Sequence, residues 1–214
     1  MARGRAAALA WTSAAAVAGL LAPLALLAHR EDYRRDPACA AQLLPPPPAA
    51  ASAVPLAAYA PTLPPHVLER GIVSYGDPAR ARRLAQKLAA GGPLAYAALG
   101  GSITNGHGVA APGDTYPRRL ERWLGAAFPA ADVSLNLKGV VPGTPSSFAA
   151  LCLDALVRDA DLVTVEYNIN DSGAADSPLR LAHERLLRRL LALPSAPAVV
   201  EVLVYRWTEA AGWA

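Results

Sequence analysis

Apolar and polar residues change rhythm several times along this chain, and the changes mark its elements. Short apolar runs, "PLAYAALG", "DVSLNLKG", "DLVTVEYN" and "PAVVEVLVYRW", have the length and bulk of strands. Between them lie segments whose apolar residues recur every third or fourth position. In "TYPRRLERWLGAAF" these are Leu120, Trp123, Leu124 and Phe128, one stripe of an amphipathic helix. "SSFAALCLDALVRD" and "SPLRLAHERLLRRLLAL" read the same way, the second opened by Ser177 and Pro178. An earlier helix, "DPARARRLAQKLAAGG", takes Asp77 as N-cap, Pro78 as first helical residue and Gly91 as its stop.

Strands alternating with helices require right-handed crossovers, hence a parallel sheet with helices on both faces: a three-layer α/β/α fold. The nearly continuous apolar third and fourth strands predict burial on both sides. Ligands of such sheets bind at the carboxyl ends of the strands. The turns after the first three strands, "GGSITNG", "KGVVPGTPSS" and "NINDSG", are therefore expected on one rim.

Two glycine-based readings of the first turn fail. Gly101 and Gly106 have phosphate-loop spacing, but His107 stands where the lysine belongs. "GHGVAA" starts well after its strand, and Pro112 and Gly113 interrupt the helix it should open. A nucleophile reading survives. Gly100 and Gly101 let the backbone turn sharply, placing Ser102 where turn amides face a developing oxyanion. The "GxSxG" elbow does not match, because Thr104 occupies its last glycine position. Gly143 in the second turn offers a bare backbone N–H, and Asn170 in the third a side-chain amide. Together with the Ser102 N–H, these make a nucleophile with three oxyanion donors. Glu166, inside a strand, is expected to satisfy a neighbouring backbone group or arginine. Asn170 also opens an "NDS" glycosylation sequon, which a folded rim would shield.

The three turns resemble the sequence blocks of the SGNH subgroup of the GDSL esterase/lipase family. "LGGSIT" is similar to the serine block, with Gly101 replacing the usual aspartate. "KGVVPGTPS" is similar to the glycine block and points to Gly143, with Gly139 as an outside candidate. "YNIND" resembles the G-x-N-D block, with Asn168 in the glycine position and Asn170 as the oxyanion asparagine. The resemblance covers roughly residues 93–205 and implies a flavodoxin-like hydrolase fold acting on a small-molecule or polysaccharide ester, without cofactor or metal.

That family places its base and carboxylate in a D-x-x-H block after the last strand. Of the four histidines here, His29, His66, His107 and His183, none has an aspartate three residues before it. His29 and His66 precede the domain, and His183 lies on a charged helix face expected to meet water. His107 follows Ser102 on the same turn, where an oriented base would need an unusual loop. Only 44 residues follow Asn170, and the last helix and strand take most of them. The domain therefore reads as incomplete at its C-terminus, and the chain as an esterase inactive by itself. Two other classes stay open: a binding module that keeps the rim, and a membrane-anchored interaction protein.

The first half of the chain changes this picture in one respect. Ala6–Ala28 is an uncharged stretch of 23 residues, about 34 Å as a helix and enough to cross a bilayer core. It reads as an anchor ahead of a cleaved signal, with an alanine-rich leader as the bland alternative. Residues 1–30 then form an anchor or signal, 31–65 a Pro/Ala-rich linker, and 66–214 the domain, in the secretory pathway. The net charge of +3 comes from scattered arginines and gives no nucleic-acid pattern. Cys39 and Cys152 fit no zinc or redox motif. A bridge between them is conceivable in an oxidising lumen, but Cys152 reads first as a buried thiol.

Overall fold

In the computed structural model, the described residues are 62–171, 173–174 and 176–204. The anchor, most of the linker and Cys39 lie outside them. A short helix α1 (Pro65–Arg70) precedes α2 (Pro78–Ala89). The order is then β1 (Leu94–Gly100), α3 (Ser102–Asn105), a 3-10 turn (Pro112–Asp114), α4 (Tyr116–Ala127) and β2 (Val133–Val140). The chain continues through α5 (Ser146–Leu156), β3 (Leu162–Glu166), α6 (Pro178–Leu191) and β4 (Ala198–Glu201).

The expected caps form. The Asp77 carboxylate accepts from Ala79 N–H at 2.9 Å, and Ser177 Oγ from Arg180 N–H at 3.4 Å. Gly91 follows α2 at φ +73°, a left-handed conformation that ends the helix at low steric cost.

All strand pairs are parallel, in the order β2-β1-β3-β4. On one face, Leu84 and Leu88 of α2 and Leu120 and Leu124 of α4 cover Leu94, Tyr96 and Ala98 of β1 and Leu162 of β3. On the other, Ala149 and Leu153 of α5 and Leu186 and Leu190 of α6 cover Ala97, Leu99, Val163 and Val165. Alternate residues of one strand thus feed two cores, which gives the expected three layers. At the amino end, Lys87 Nζ clamps Asp161 at 2.6 Å, and Asp161 also accepts from Ala95 N–H.

The chain moves from β1 outward to β2, then crosses back over the sheet to β3. Strand order therefore reverses between β1 and β3, and ligands of such sheets bind at the carboxyl ends of the strands at that switch point. A β-bulge between Asn136 and Gly139 sets Gly139 opposite Leu99.

Two sequence expectations need correction here. β3 is buried throughout, but β4 is only partly so, with Val199 and Val200 half-buried and Glu201 exposed. β4 is also shorter than "PAVVEVLVYRW" suggested, because its partner β3 ends at Glu166. Beyond that point a side chain extends the ladder: Asn168 Nδ2 donates to Val204 O at 2.7 Å, and Val204 N–H donates to Asn168 Oδ1 at 2.9 Å. The second correction concerns Cys152, which is half-buried rather than buried, on a helix whose neighbour Leu151 faces outward.

Candidate active site

Three loops meet at the carboxyl ends of β1, β2 and β3, and they carry Ser102, Gly143 and Asn170. Ser102 is the first residue of α3, immediately after the Gly100-Gly101 pair. Each of these glycines makes room for a specific partner. A Cβ on Gly100 would lie 2.0 Å from Thr104 Oγ1, and one on Gly101 would lie 2.9 Å from Asn170 Nδ2. The first absence lets α3 fold back onto its own strand. The second lets the asparagine amide press against the residue before the serine, where the family pattern has aspartate.

Thr104 is buried beneath the turn. Its hydroxyl donates to Glu166 Oε2 at 2.9 Å and lies 3.3 Å from the Tyr116 hydroxyl. Glu166 therefore answers to the serine turn, not to an arginine. Burial raises its pKa, and the Thr104 hydroxyl offsets part of that rise. The serine turn is thus supported from below by a buried hydrogen-bonded group. Gly106, at φ +103°, closes α3, and His107 N–H donates to Ser102 O at 2.8 Å.

Asn170 is held from two sides. Its backbone N–H bonds to Tyr167 O at 2.9 Å, and its amide Nδ2 donates to Thr144 O at 2.9 Å. A carboxamide has two N–H donors, so one is left over from the bond to Thr144. The same bond ties the turn after β3 to the loop after β2, where Gly143 sits exposed at φ +78° with open space around its Cα. Gly139 has another task. It is buried within β2, a Cβ there would meet Leu99 Cδ2 at 2.1 Å, and its carbonyl accepts from the Tyr167 hydroxyl at 3.2 Å. Its carbonyl and Cα face are occupied by the core, whereas Gly143 is open to solvent.

Among the described residues, no side chain hydrogen-bonds to Ser102 Oγ. His107 and His66 are exposed. The expectation that His183 faces water is wrong. It is 9% exposed, with Nε2 2.8 Å from Glu201 Oε1 and Nδ1 3.3 Å from Asp171 Oδ2. The charged residues beside it in sequence face solvent, while His183 turns inward between α6 and the strand ends. Nε2 is hydrogen-bonded to Glu201, while Nδ1 lies at ion-pair distance from Asp171 without a hydrogen bond. Asp171, fully buried, also accepts from Ser146 N–H at the start of α5 at 3.0 Å. Sequence reasoning missed this cluster, and also the strand-extending role of Asn168. The one available signal was a histidine on the helical stripe of Leu186 and Leu190, which marks the buried face of α6.

A parallel sheet that gathers Ser102, Gly143 and Asn170 at the strand ends of its switch point is an α/β fold with a candidate ligand rim. The chain belongs to the GDSL-like lipase/acylhydrolase family, whose model matches residues 98–212. Among solved structures it is similar to a two-domain esterase active on acetylated mannans, solved alone and co-crystallised with mannopentaose. Each of the two matches has 27% identity and a TM-score of 0.53, over 57% of this chain and 33% of that one. The chain thus spans about a third of that esterase. No curated protein matches it. The family resemblance and the α/β/α fold read from the sequence are both borne out.

Proposed function

We propose that this chain carries the nucleophile and oxyanion half of an ester hydrolase that deacylates a carbohydrate or lipid ester. Ser102 Oγ attacks the acyl carbonyl carbon as its proton passes to a base supplied by an Asp-x-x-His unit, and the oxyanion is met by the N–H groups of Ser102 and Gly143 and the remaining N–H of Asn170. The C–O bond to the alcohol breaks, the alcohol leaves with that proton, and water then hydrolyses the acyl-enzyme to free the acid and Ser102. One observation carries the reading: the Asn170 amide lies against Gly101, beside Ser102, and is bonded into the Gly143 loop. The esterase neighbour favours an acylated polysaccharide as substrate. Residues 6–28, outside the described ones, are proposed to anchor the protein in a membrane of the secretory pathway. Among the described residues, no helix is long and apolar enough to cross a membrane. Retention in the pellet after carbonate extraction tests the anchor, and a cytosolic protein would refute it.

A serine without a base is a poor nucleophile, so this 214-residue chain is expected to be inactive or nearly so. Oxyanion donors alone leave about 10³–10⁴-fold acceleration over water in well-studied triad enzymes. The purified chain should therefore hydrolyse p-nitrophenyl acetate barely above background, and Ser102→Ala should change little. Grafting an Asp-x-x-His unit onto the C-terminal side should restore a rate that Ser102→Ala abolishes and Asn170→Ala lowers by about 10²-fold or more. Robust activity of the chain alone, lost in His107→Ala, would replace this scheme with an in-loop base. The burial of His183 between Asp171 and Glu201 favours one second reading, a module that binds acylated ligands without turning them over. Specific binding of acetylated mannan, with no rate gained by the graft, would select it.

A further inference from the structure

The turn after β3 does more than present Asn170. Asn170 and Asp171 both donate backbone N–H groups to Tyr167 O, at 2.9 and 2.8 Å, so the two residues move as one turn. Their side chains stitch that turn to the same loop at two points: Asn170 to Thr144 O, and Asp171 to Ser146 N–H. The second stitch needs a buried carboxylate, and a buried carboxylate needs a counter-charge. His183 reaches it from α6, and its far nitrogen is held by Glu201 at the end of β4. The Glu201 contact is a hydrogen bond and the Asp171 contact an ion-pair approach, and a ring flanked by two carboxylates favours the form with both nitrogens protonated.

We propose that His183 is a positioning residue for Asn170: clamped between Asp171 and Glu201, it fixes the turn that holds the asparagine amide beside Ser102. The functional meaning of this rests on the reading of Asn170 as an oxyanion donor. Of the other charged groups on α6, Arg185 is exposed. Asp154, the one charged residue of α5, pairs with Arg189, and Glu184 of α6 pairs with Arg188. Arg180 lies one turn earlier on α6, and Glu166 bonds Thr104 on the opposite face of the sheet. Asp171 and Glu201 remain as the groups that face His183. The unpaired Asp171 left by a neutral side chain at position 183 would turn toward water and draw Asn170 away from Thr144.

The test is nuclear magnetic resonance on the full 214-residue chain, labelled with nitrogen-15. The Asn170 side-chain amide should exchange slowly with solvent, and His183→Gln should speed that exchange by at least about tenfold. Leu84→Ala, which loosens the core on the other face, should leave it within about twofold. An unchanged Asn170 amide in folded His183→Gln, or an equal response to Leu84→Ala, overturns the proposal. Should His183→Gln fail to fold, the wild-type chain still decides. Its Asn170 amide shift must follow the same midpoint as the His183 ring nitrogens, and a flat response overturns the coupling. These readouts report position and not turnover. The oxyanion reading falls by a different result, Asn170→Ala leaving the rate of the grafted enzyme intact.

Discussion

Raising the pH should unfasten the His183 clamp, and the carboxylates around the ring set the sign of the effect. Burial alone would lower the His183 pKa, but Asp171 and then Glu201 outweigh it and carry it from 6.5 to about 9. A group whose folded pKa is raised adds stability that is complete below its unfolded value. That stability is lost as pH climbs through the folded value. The interval from 6.5 to about 9 corresponds to about 3 kcal/mol of preference for the charged ring in the folded site. Asp171 has the opposite sign. Burial would raise its pKa, but bonds from His183 and Ser146 hold it below 3.8, so its contribution is lost only as pH falls through that lowered value. Both describe largely one contact and are counted once. Urea unfolding at about pH 6, 8 and 10 would measure it, comparing the wild-type chain with His183→Gln. Titration of groups that do not touch His183 cancels in the difference. The wild-type advantage should shrink by about 3 kcal/mol between pH 6 and 10, most of it above pH 7. A gap that stays constant across that range would refute the charged-ring assignment.

The two candidate glycines should separate cleanly. Gly139→Ala forces a methyl into Leu99 within a closed core and should cost about 2–3 kcal/mol in urea unfolding. Gly143→Ala meets open space and carries only the strain of its φ of +78°, about 1 kcal/mol; the reverse order would show that the core reading of Gly139 is wrong. Gly101→Asp, which restores the family's usual residue, should here displace Asn170 and reduce the grafted enzyme's rate by at least about tenfold with little change in melting temperature. An unchanged rate would mean that the Asn170 amide does not need its place against Gly101.

The sheet was legible because local rules all pointed one way. Apolar runs of strand length, caps at Asp77 and Ser177 and a stop at Gly91 agree with the observed α2, α6, β1 and β3. β4 escaped in part because an apolar run says nothing about where its partner ends. Only the pairing with β3 and the Asn168 bonds to Val204 set that limit. Strand order was likewise beyond the pattern. Alternation requires parallel strands, but the reversal between β1 and β3 comes from α4 and α5 taking opposite faces.

The rim was readable for a different reason: its residues lie in turns, where composition is constrained by backbone geometry and so leaves a trace. Two glycines before Ser102, a glycine at positive φ in the second turn and an asparagine after β3 are all visible as letters. Their support is not. Glu166 reads as a polar interruption of an apolar strand until Thr104, 62 positions earlier, is found beneath it. His183 reads as one polar residue among arginines, because sequence neighbours on a helix point in different directions. Its true neighbours, Asp171 and Glu201, come from the ends of two other elements. Buried polar clusters are assembled by the fold from distant residues, each of which has an ordinary local explanation. A polar residue on an otherwise apolar helical stripe is the one trace they leave, and at His183 that trace, weighed against Leu186 and Leu190, favours burial over exposure.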